Sequence, residues 1–147
     1  LIRYPEGDVP FFVNYRLDNN VAIVKVVPGM NMNHLAQVKN IDGLRGVILE
    51  TFGSGNAPTS ESFLKQVKEI VESGVVVMNV TQCHAGSVDM DAYATGIAMK
   101  RLGVVSGWDS TLEAALAKLY FLLGKFDDNE SVKLYLQKNI RGEISNK

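Results

Sequence analysis

The chain has 147 residues, of which 46% are hydrophobic and 21% are charged, and its formal net charge is -1. This size and composition are typical of one globular domain and exclude an intrinsically disordered chain. The balanced charge argues against nucleic acid or an anionic membrane as a partner, and no apolar run is long enough to predict a transmembrane helix.

The chain contains a single cysteine, Cys83, which excludes an internal disulfide framework. A lone cysteine is typical of a reducing compartment, so we expect a cytoplasmic location. Residues 1–20 open with LIRYPEGDVPFF, lack an initiator Met and show little hydrophobic periodicity. We interpret 1–20 as an interdomain linker cut from a larger protein and 21–147 as the folded domain.

Four segments rich in β-branched residues predict strands. The second, RGVILETFG, is apolar almost throughout, which is typical of a strand covered on both faces in a parallel sheet. The predicted strands are 21–29, 45–53, 75–83 and 104–107.

Five segments with apolar residues at helical spacing predict helices between and after these strands. We predict Asn33 as the N-cap of the first helix, and Ser110-x-x-Glu113 as a capping box for the fourth. The alternation of strands and helices predicts an α/β fold, a three-layer Rossmann-like domain with a parallel sheet of about four strands. The predicted helical segments are 33–41, 59–74, 92–103, 109–125 and 129–140.

The glycine-rich turn GSGNAP follows the second predicted strand. Gly53-x-Gly55 matches half of a dinucleotide fingerprint, but Pro58 stands where the third glycine belongs and no acidic residue follows about twenty positions later. We therefore favour a structural turn, in which both glycines adopt positive φ and Pro58 starts the next helix. This leaves two alternatives for Asn56, a left-handed turn residue or a ligand contact.

Cys83 and His84 are adjacent, which raises the possibility of a nucleophile and its base. Neighbours in an extended segment point to opposite faces, so a strand-end thiol beside a loop imidazole is the better interpretation. The chain has two histidines and one cysteine, none at ligand spacing, and we predict no metal site and no cofactor.

Three long motifs, LETFGSGNAP, VVVMNVTQCHAGSVDMDAYATG and GVVSGWDSTLEAALAKL, resemble the C-terminal domain of a cytosolic-type (type I) L-asparaginase. The resemblance extends from about Val21 to Glu143. It implies hydrolysis of L-asparagine to L-aspartate and ammonia through a threonine nucleophile located in the family's N-terminal domain. The chain contains no Thr-Gly-Gly and no Thr-Asp pair. We therefore expect no catalytic residue in this chain, and no activity from this chain alone.

The resemblance also implies specific roles for residues in this chain. Active sites of the family form between the N-terminal domain of one subunit and the C-terminal domain of another, which implies a homodimer or homotetramer. Asn56, with Ser54 beside it, matches the turn that reaches the neighbouring subunit's substrate. Glu50, Thr81 and Cys83 match the regulatory asparagine site of some bacterial relatives.

Glu50 departs from those regulated relatives, which carry an arginine at this position, although animal-type relatives also have glutamate. An arginine pairs with a ligand carboxylate, whereas a glutamate repels it. We therefore expect this chain to lack their form of allosteric regulation. The alternative function is a free-standing amino-acid-binding regulatory domain, with its ligand at Asn56 and the Cys83 turn.

Overall fold

Four parallel strands form the central sheet of the computed structural model, which describes residues 7, 8 and 10–145. The strands are β1 Val21–Lys25, β2 Gly46–Thr51, β3 Val76–Thr81 and β4 Val105–Ser106. They lie side by side in the order β1-β2-β3-β4, and each neighbouring pair is parallel. The predicted sheet is confirmed, although each strand is shorter than its predicted segment.

Helices cover both faces of this sheet. They are α1 Met32–Val38, α2 Glu61–Glu72, α3 Ala94–Arg101, α4 Leu112–Lys125 and α5 Asn129–Leu136. No helix within residues 7, 8 and 10–145 is both long and apolar enough to cross a membrane.

Side chains of β2 alternate between two hydrophobic cores, which explains its continuous apolar sequence. Val47 and Leu49 pack in a core with α1, α2 and α3, whereas Ile48 packs in a second core with α4 and α5. Because successive side chains of a strand point to opposite faces, both faces of the sheet are buried. The predicted three-layer α/β arrangement is therefore confirmed.

The first two helices begin at residues other than those predicted. Asn31, not Asn33, is the N-cap of α1, and its side chain accepts a hydrogen bond from the backbone N–H of Asn33 at 2.9 Å. Ser60 is the N-cap of α2, so the prediction that Pro58 starts this helix was wrong. In both cases the N-cap residue has an extended backbone, and its side-chain oxygen accepts a hydrogen bond from a backbone N–H in the first turn.

The predicted capping box of α4 was also wrong. Thr111 is the N-cap, and its hydroxyl accepts a hydrogen bond from Ala114 N at 3.2 Å. Ser110 instead donates its hydroxyl to the Glu143 carbonyl at 3.2 Å. This moves Glu113 to the second helical position, one residue short of the position that a capping box requires.

The described part of the predicted linker forms no helix or strand between residues 10 and 20. It lies against the domain through a hydrogen bond from Asp18 N to Tyr120 O at 3.0 Å. Phe11, Phe12 and Tyr15 remain 84–93% exposed. Residues 1–6 and 9 of the predicted linker, and 146–147 of the predicted domain, lie outside the described residues. The boundary at residue 20 stays a prediction.

A buried ion pair ties the C-terminal tail to α4. The Lys118 side chain is 4% exposed, and its Nζ lies 2.8 Å from the Glu143 carboxylate. The same ammonium group donates to the carbonyls of Leu136 and Lys138 at 2.8 and 2.6 Å. Burial lowers the pKa of Lys118. Burial raises the pKa of Glu143, but hydrogen bonds from Lys118 and from backbone N–H groups outweigh it and hold that pKa at about 2.

Candidate functional site

The turn at 53–56 closes on itself at the carboxyl end of β2. Phe52 N donates to Asn56 O at 2.7 Å, and the backbone N–H groups of Gly55 and Asn56 both donate to Phe52 O. Gly53 and Gly55 adopt positive φ values of 46° and 92°, as the sequence predicted. Since the two N–H groups already have an internal acceptor, they are not available to hold a phosphate.

Three consecutive carbonyl groups of this turn are held from outside it. Gly53 O accepts from the Thr81 hydroxyl at 2.5 Å, and Ser54 O accepts from Asp89 N at 2.9 Å. Gly55 O accepts from the side-chain amide of Asn79 at 3.0 Å. Because each carbonyl has its own donor, the turn is rigidly placed at the edge of the sheet.

The side chain of Asn56 is half-buried and held on one side only. Its Oδ1 accepts a hydrogen bond from Ala57 N at 2.9 Å, which determines the orientation of the amide. Within residues 7, 8 and 10–145, no acceptor is in hydrogen-bond contact with its Nδ2. Two N–H donors are therefore available to a ligand. Ser54 is half-buried two residues earlier in the same turn.

A cavity of about 480 Å³ lies at the carboxyl ends of β1, β2 and β3 and is not lined by Ser54 or Asn56. Glu50, Thr81 and Cys83, the regulatory-site candidates implied by the family resemblance, all line it. Lys25 lines it as well, with its Nζ 3.8 Å from the Glu50 carboxylate. The sequence did not identify Lys25, because its proximity to Glu50 follows from the pairing of β1 with β2.

Thr81 belongs to both the cavity and the turn. Its hydroxyl donates to Gly53 O at 2.5 Å and accepts from Cys83 N at 3.0 Å. Gln82, the next residue, donates its side-chain amide to the carbonyls of Glu50 and Val26, which ties the ends of β1 and β2 together. The cavity and the turn are thus built on the same strand ends.

Cys83 and His84 are both exposed in the loop after β3. No hydrogen bond joins the thiol and the imidazole in the described part of the chain. Their interpretation as a strand-end thiol beside a loop imidazole stays a prediction. Within the same residues, no three His, Cys, Asp or Glu side chains lie close enough to hold a metal ion.

A larger cavity, of about 550 Å³, lies beside β4 and α5 and contains none of the predicted site residues. Four of the five charged side chains in its wall form ion pairs, Asp91 with Lys100 at 2.7 Å and Glu130 with Lys133 at 3.2 Å. The fifth, Asp89, accepts a hydrogen bond from Asp91 N at 3.0 Å. Because these charges already have partners, size alone does not make this cavity the candidate site.

Comparisons with known proteins place these features in a family. Residues 20–136 match the family model of the glutaminase/asparaginase C-terminal domain. The chain is 36% identical over 143 residues to L-asparaginase 1 of Escherichia coli, a match that covers 96% of this chain and 41% of that protein. It is 39% identical over 146 residues to the 60 kDa lysophospholipase of Homo sapiens, covering 99% of this chain and 25% of that protein.

A solved structure is similar over almost the whole chain. The L-asparaginase I of Vibrio cholerae has 41% sequence identity and a TM-score of 0.87, and the match covers 97% of this chain and 42% of that one. The chain thus spans less than half the length of the relatives that it matches. These matches do not favour a free-standing amino-acid-binding domain.

Proposed function

Because the chain belongs to the glutaminase/asparaginase C-terminal domain family, we propose that it completes the active site of an L-asparaginase. The full-length protein hydrolyses L-asparagine to L-aspartate and ammonia. Its threonine nucleophile lies outside this chain, in an N-terminal domain. The partners of this chain are that domain and a second subunit in a homodimer or homotetramer, in the cytoplasm.

The amide of Asn56 supports this proposal most directly. Its Oδ1 accepts from Ala57 N, and its Nδ2 has no acceptor among the described residues, so its two N–H donors can bind a substrate in this proposal. The substrate's carboxylate and carbonyl oxygens are acceptors of this kind. A donor on a rigid turn orients a substrate without reorganising during the reaction.

Asn56 and Ser54 bind and orient the substrate in this proposal. The threonine hydroxyl attacks the side-chain amide carbon of asparagine, and its proton is transferred to the leaving nitrogen, which departs as ammonia. Water then hydrolyses the acyl–threonine ester, which releases aspartate and restores the threonine hydroxyl. Neither residue gains or loses a bond in these steps. Their role is to hold the reacting carbon in line with the nucleophile of the neighbouring subunit.

The chain alone is expected to release no ammonia from L-asparagine. It has neither a Thr-Gly-Gly nor a Thr-Asp pair in its 147 residues. Loss of a nucleophile with its base costs an enzyme on the order of 10⁶-fold in kcat. Ammonia release by the purified chain and by the full-length protein is the measurement, with heat-denatured samples as controls. Activity in the chain alone would contradict this prediction, and an inactive full-length protein would contradict the proposed function.

We further propose that the 480 Å³ cavity disfavours a ligand carboxylate. Among the described residues, its wall contains the carboxylates of Glu50, Asp109 and Glu113, the amine of Lys25 and the imidazole of His84. Lys25 lies 3.8 Å from Glu50, but its side chain is 58% exposed, so solvent screens much of the attraction. The negative charge of the cavity wall therefore does not come from Glu50 alone.

The full-length enzyme is expected to show a hyperbolic dependence of rate on asparagine, with a Hill coefficient of about 1. Glu50→Arg alone is expected to leave the curve hyperbolic, because Asp109 and Glu113 remain in the cavity wall. Steady-state rates over a wide asparagine range test both statements. A Hill coefficient clearly above 1 in the unmodified enzyme would show that the cavity accepts the amino acid despite its charge.

A further inference from the structure

We propose that Asn79 is a positioning residue for the active site, acting through the Gly55 carbonyl to set the direction of Asn56. This inference rests on the proposed function, since the direction of Asn56 affects the reaction only if this turn reaches a substrate. Asn79 itself does not line the 480 Å³ cavity.

Asn79 is 0% exposed in the middle of β3, a strand that is otherwise apolar up to Thr81. Burying an amide is unfavourable unless its polar atoms find partners. A valine or leucine would satisfy the sheet at this position without that requirement. The polar side chain therefore needs a role beyond the packing of the strand.

Hydrogen bonds fix the orientation of the Asn79 amide. Its Oδ1 accepts from the Thr51 hydroxyl at 2.6 Å, and its Nδ2 donates to Gly55 O at 3.0 Å. A carbonyl oxygen can only accept a hydrogen bond. Rotating the amide by half a turn would therefore place Asn79 Oδ1 against Gly55 O, with no hydrogen between them. Thr51 is also fully buried. The two hydrogen-bonded side chains, Thr51 and Asn79, are called the relay below, and both lie in the core.

The Gly55 carbonyl and the N–H of Asn56 belong to one planar peptide group. A hydrogen bond that holds Gly55 O therefore also sets the plane that carries the Cα of Asn56. Gly55 has a φ of +92°, and a Cβ at this position would lie 2.6 Å from Val88 Cγ1. Val88 and Asn79 both lie close to Gly55, so the backbone is confined there while Asn79 holds its carbonyl.

A double-mutant cycle in the full-length enzyme tests this inference. Asn79→Ala is expected to lower kcat/KM for L-asparagine by about 10- to 100-fold, because a small misplacement of a binding group has an effect of this order. In the Asn56→Ala background, Asn79→Ala is expected to lower kcat/KM by less than about 3-fold further. The effects of two substitutions are not additive when both residues act through one contact.

The possible outcomes separate this inference from the proposed function. A normal kcat/KM for Asn56→Ala would overturn the proposed function and this inference with it. A reduced kcat/KM for Asn56→Ala, with Asn79→Ala either harmless or fully additive, would overturn only the role of Asn79.

Two further variants separate positioning from general destabilisation. Val132→Ala truncates a buried side chain in the core on the opposite face of the sheet. It is expected to lower the unfolding midpoint and leave kcat/KM unaltered.

If Asn79→Ala does not fold, Thr51→Val removes only the hydroxyl that orients the amide. We expect it to lower kcat/KM about 3- to 10-fold in the wild-type background and not in Asn56→Ala. An unaltered kcat/KM in Thr51→Val would overturn the relay.

Discussion

Replacing Asn56 with aspartate in the full-length enzyme is expected to lower kcat/KM for L-asparagine by about 10²-fold or more, the usual effect of losing one preorganised donor. Aspartate keeps the oxygen that accepts from Ala57 N, so the turn retains its internal hydrogen bond. It replaces the Nδ2 donors with an oxygen that repels the substrate carboxylate. If Asn56 served only the structure of the turn, this variant would keep most of its activity, which steady-state rates would reveal.

A complementation experiment tests whether Asn56 serves the neighbouring subunit. One full-length variant carries Asn56→Ala, and the other lacks its threonine nucleophile. In a refolded equimolar mixture of dimers, about a quarter of the sites combine an intact nucleophile with an intact Asn56. Activity in the mixture well above the sum of the separate variants is therefore expected. If Asn56 acted within its own subunit, no such site would form and the mixture would gain nothing.

Glu143→Gln is expected to lower the free energy of unfolding at pH 7 by about 3 kcal/mol, because it leaves a buried ammonium group without its counter-charge. The Glu143 carboxylate is held by Lys118 and by the backbone N–H groups of Ile140 and Arg141. Urea unfolding at pH 7 measures the difference. Glu72→Gln is the matched control, since Glu72 pairs with Lys68 at 3.6 Å but is 63% exposed. We expect that variant to differ from the wild type by less than about 1 kcal/mol.

The effect of Glu143→Gln is expected to disappear in acid. The folded pKa of Glu143 is about 2, below its ordinary value of 4.5. The carboxylate therefore stabilises the fold fully above pH 4.5, and this contribution is lost as the pH falls through about 2. The wild-type and Glu143→Gln unfolding curves should converge over that range. A difference that stays constant from pH 7 to pH 2 would mean that the charge of Glu143 is not responsible.

The double variant Lys118→Met with Glu143→Gln is expected to be more stable than Glu143→Gln alone. Burial lowers the pKa of Lys118 even beside Glu143, so the ammonium group is tolerated there only with its partner. Removing both charges leaves no buried ammonium group without a counter-charge. A double variant less stable than either single variant would instead show that the hydrogen bonds from Lys118 to the backbone carry the stability.

The sequence predicted the sheet because its strands are continuous β-branched segments whose two faces are both buried. It predicted the helix starts less well, since adjacent residues can each act as a cap. Ser110 and Thr111 are both good N-caps, and the choice between them depends on the carbonyl of Glu143, which lies 33 residues away. A contact of that sequence separation leaves no local pattern.

The candidate site was only partly predictable for the same reason. The motif around Asn56 indicated the turn, and the family resemblance is confirmed by the match over residues 20–136. The roles of Asn56, Ser54, Glu50, Thr81 and Cys83 stay predictions. Asn79 gave no spacing signal, although a lone amide in an apolar strand is a sign of a buried polar contact. Lys25 could be identified only once the register of β1 against β2 was known.

The attachment of the turn at Ser54 has a consequence for enzyme engineering. Its carbonyl accepts from the backbone N–H of Asp89, so this bond depends on neither side chain. Every amino acid carries the same carbonyl, and every amino acid except proline carries the same N–H. Position 54 can therefore be varied across a library while the loop keeps its shape and Asn56 keeps its place. If Ser54 binds the substrate as proposed, substrate preference can be searched at this one side chain without redesigning the residues around it.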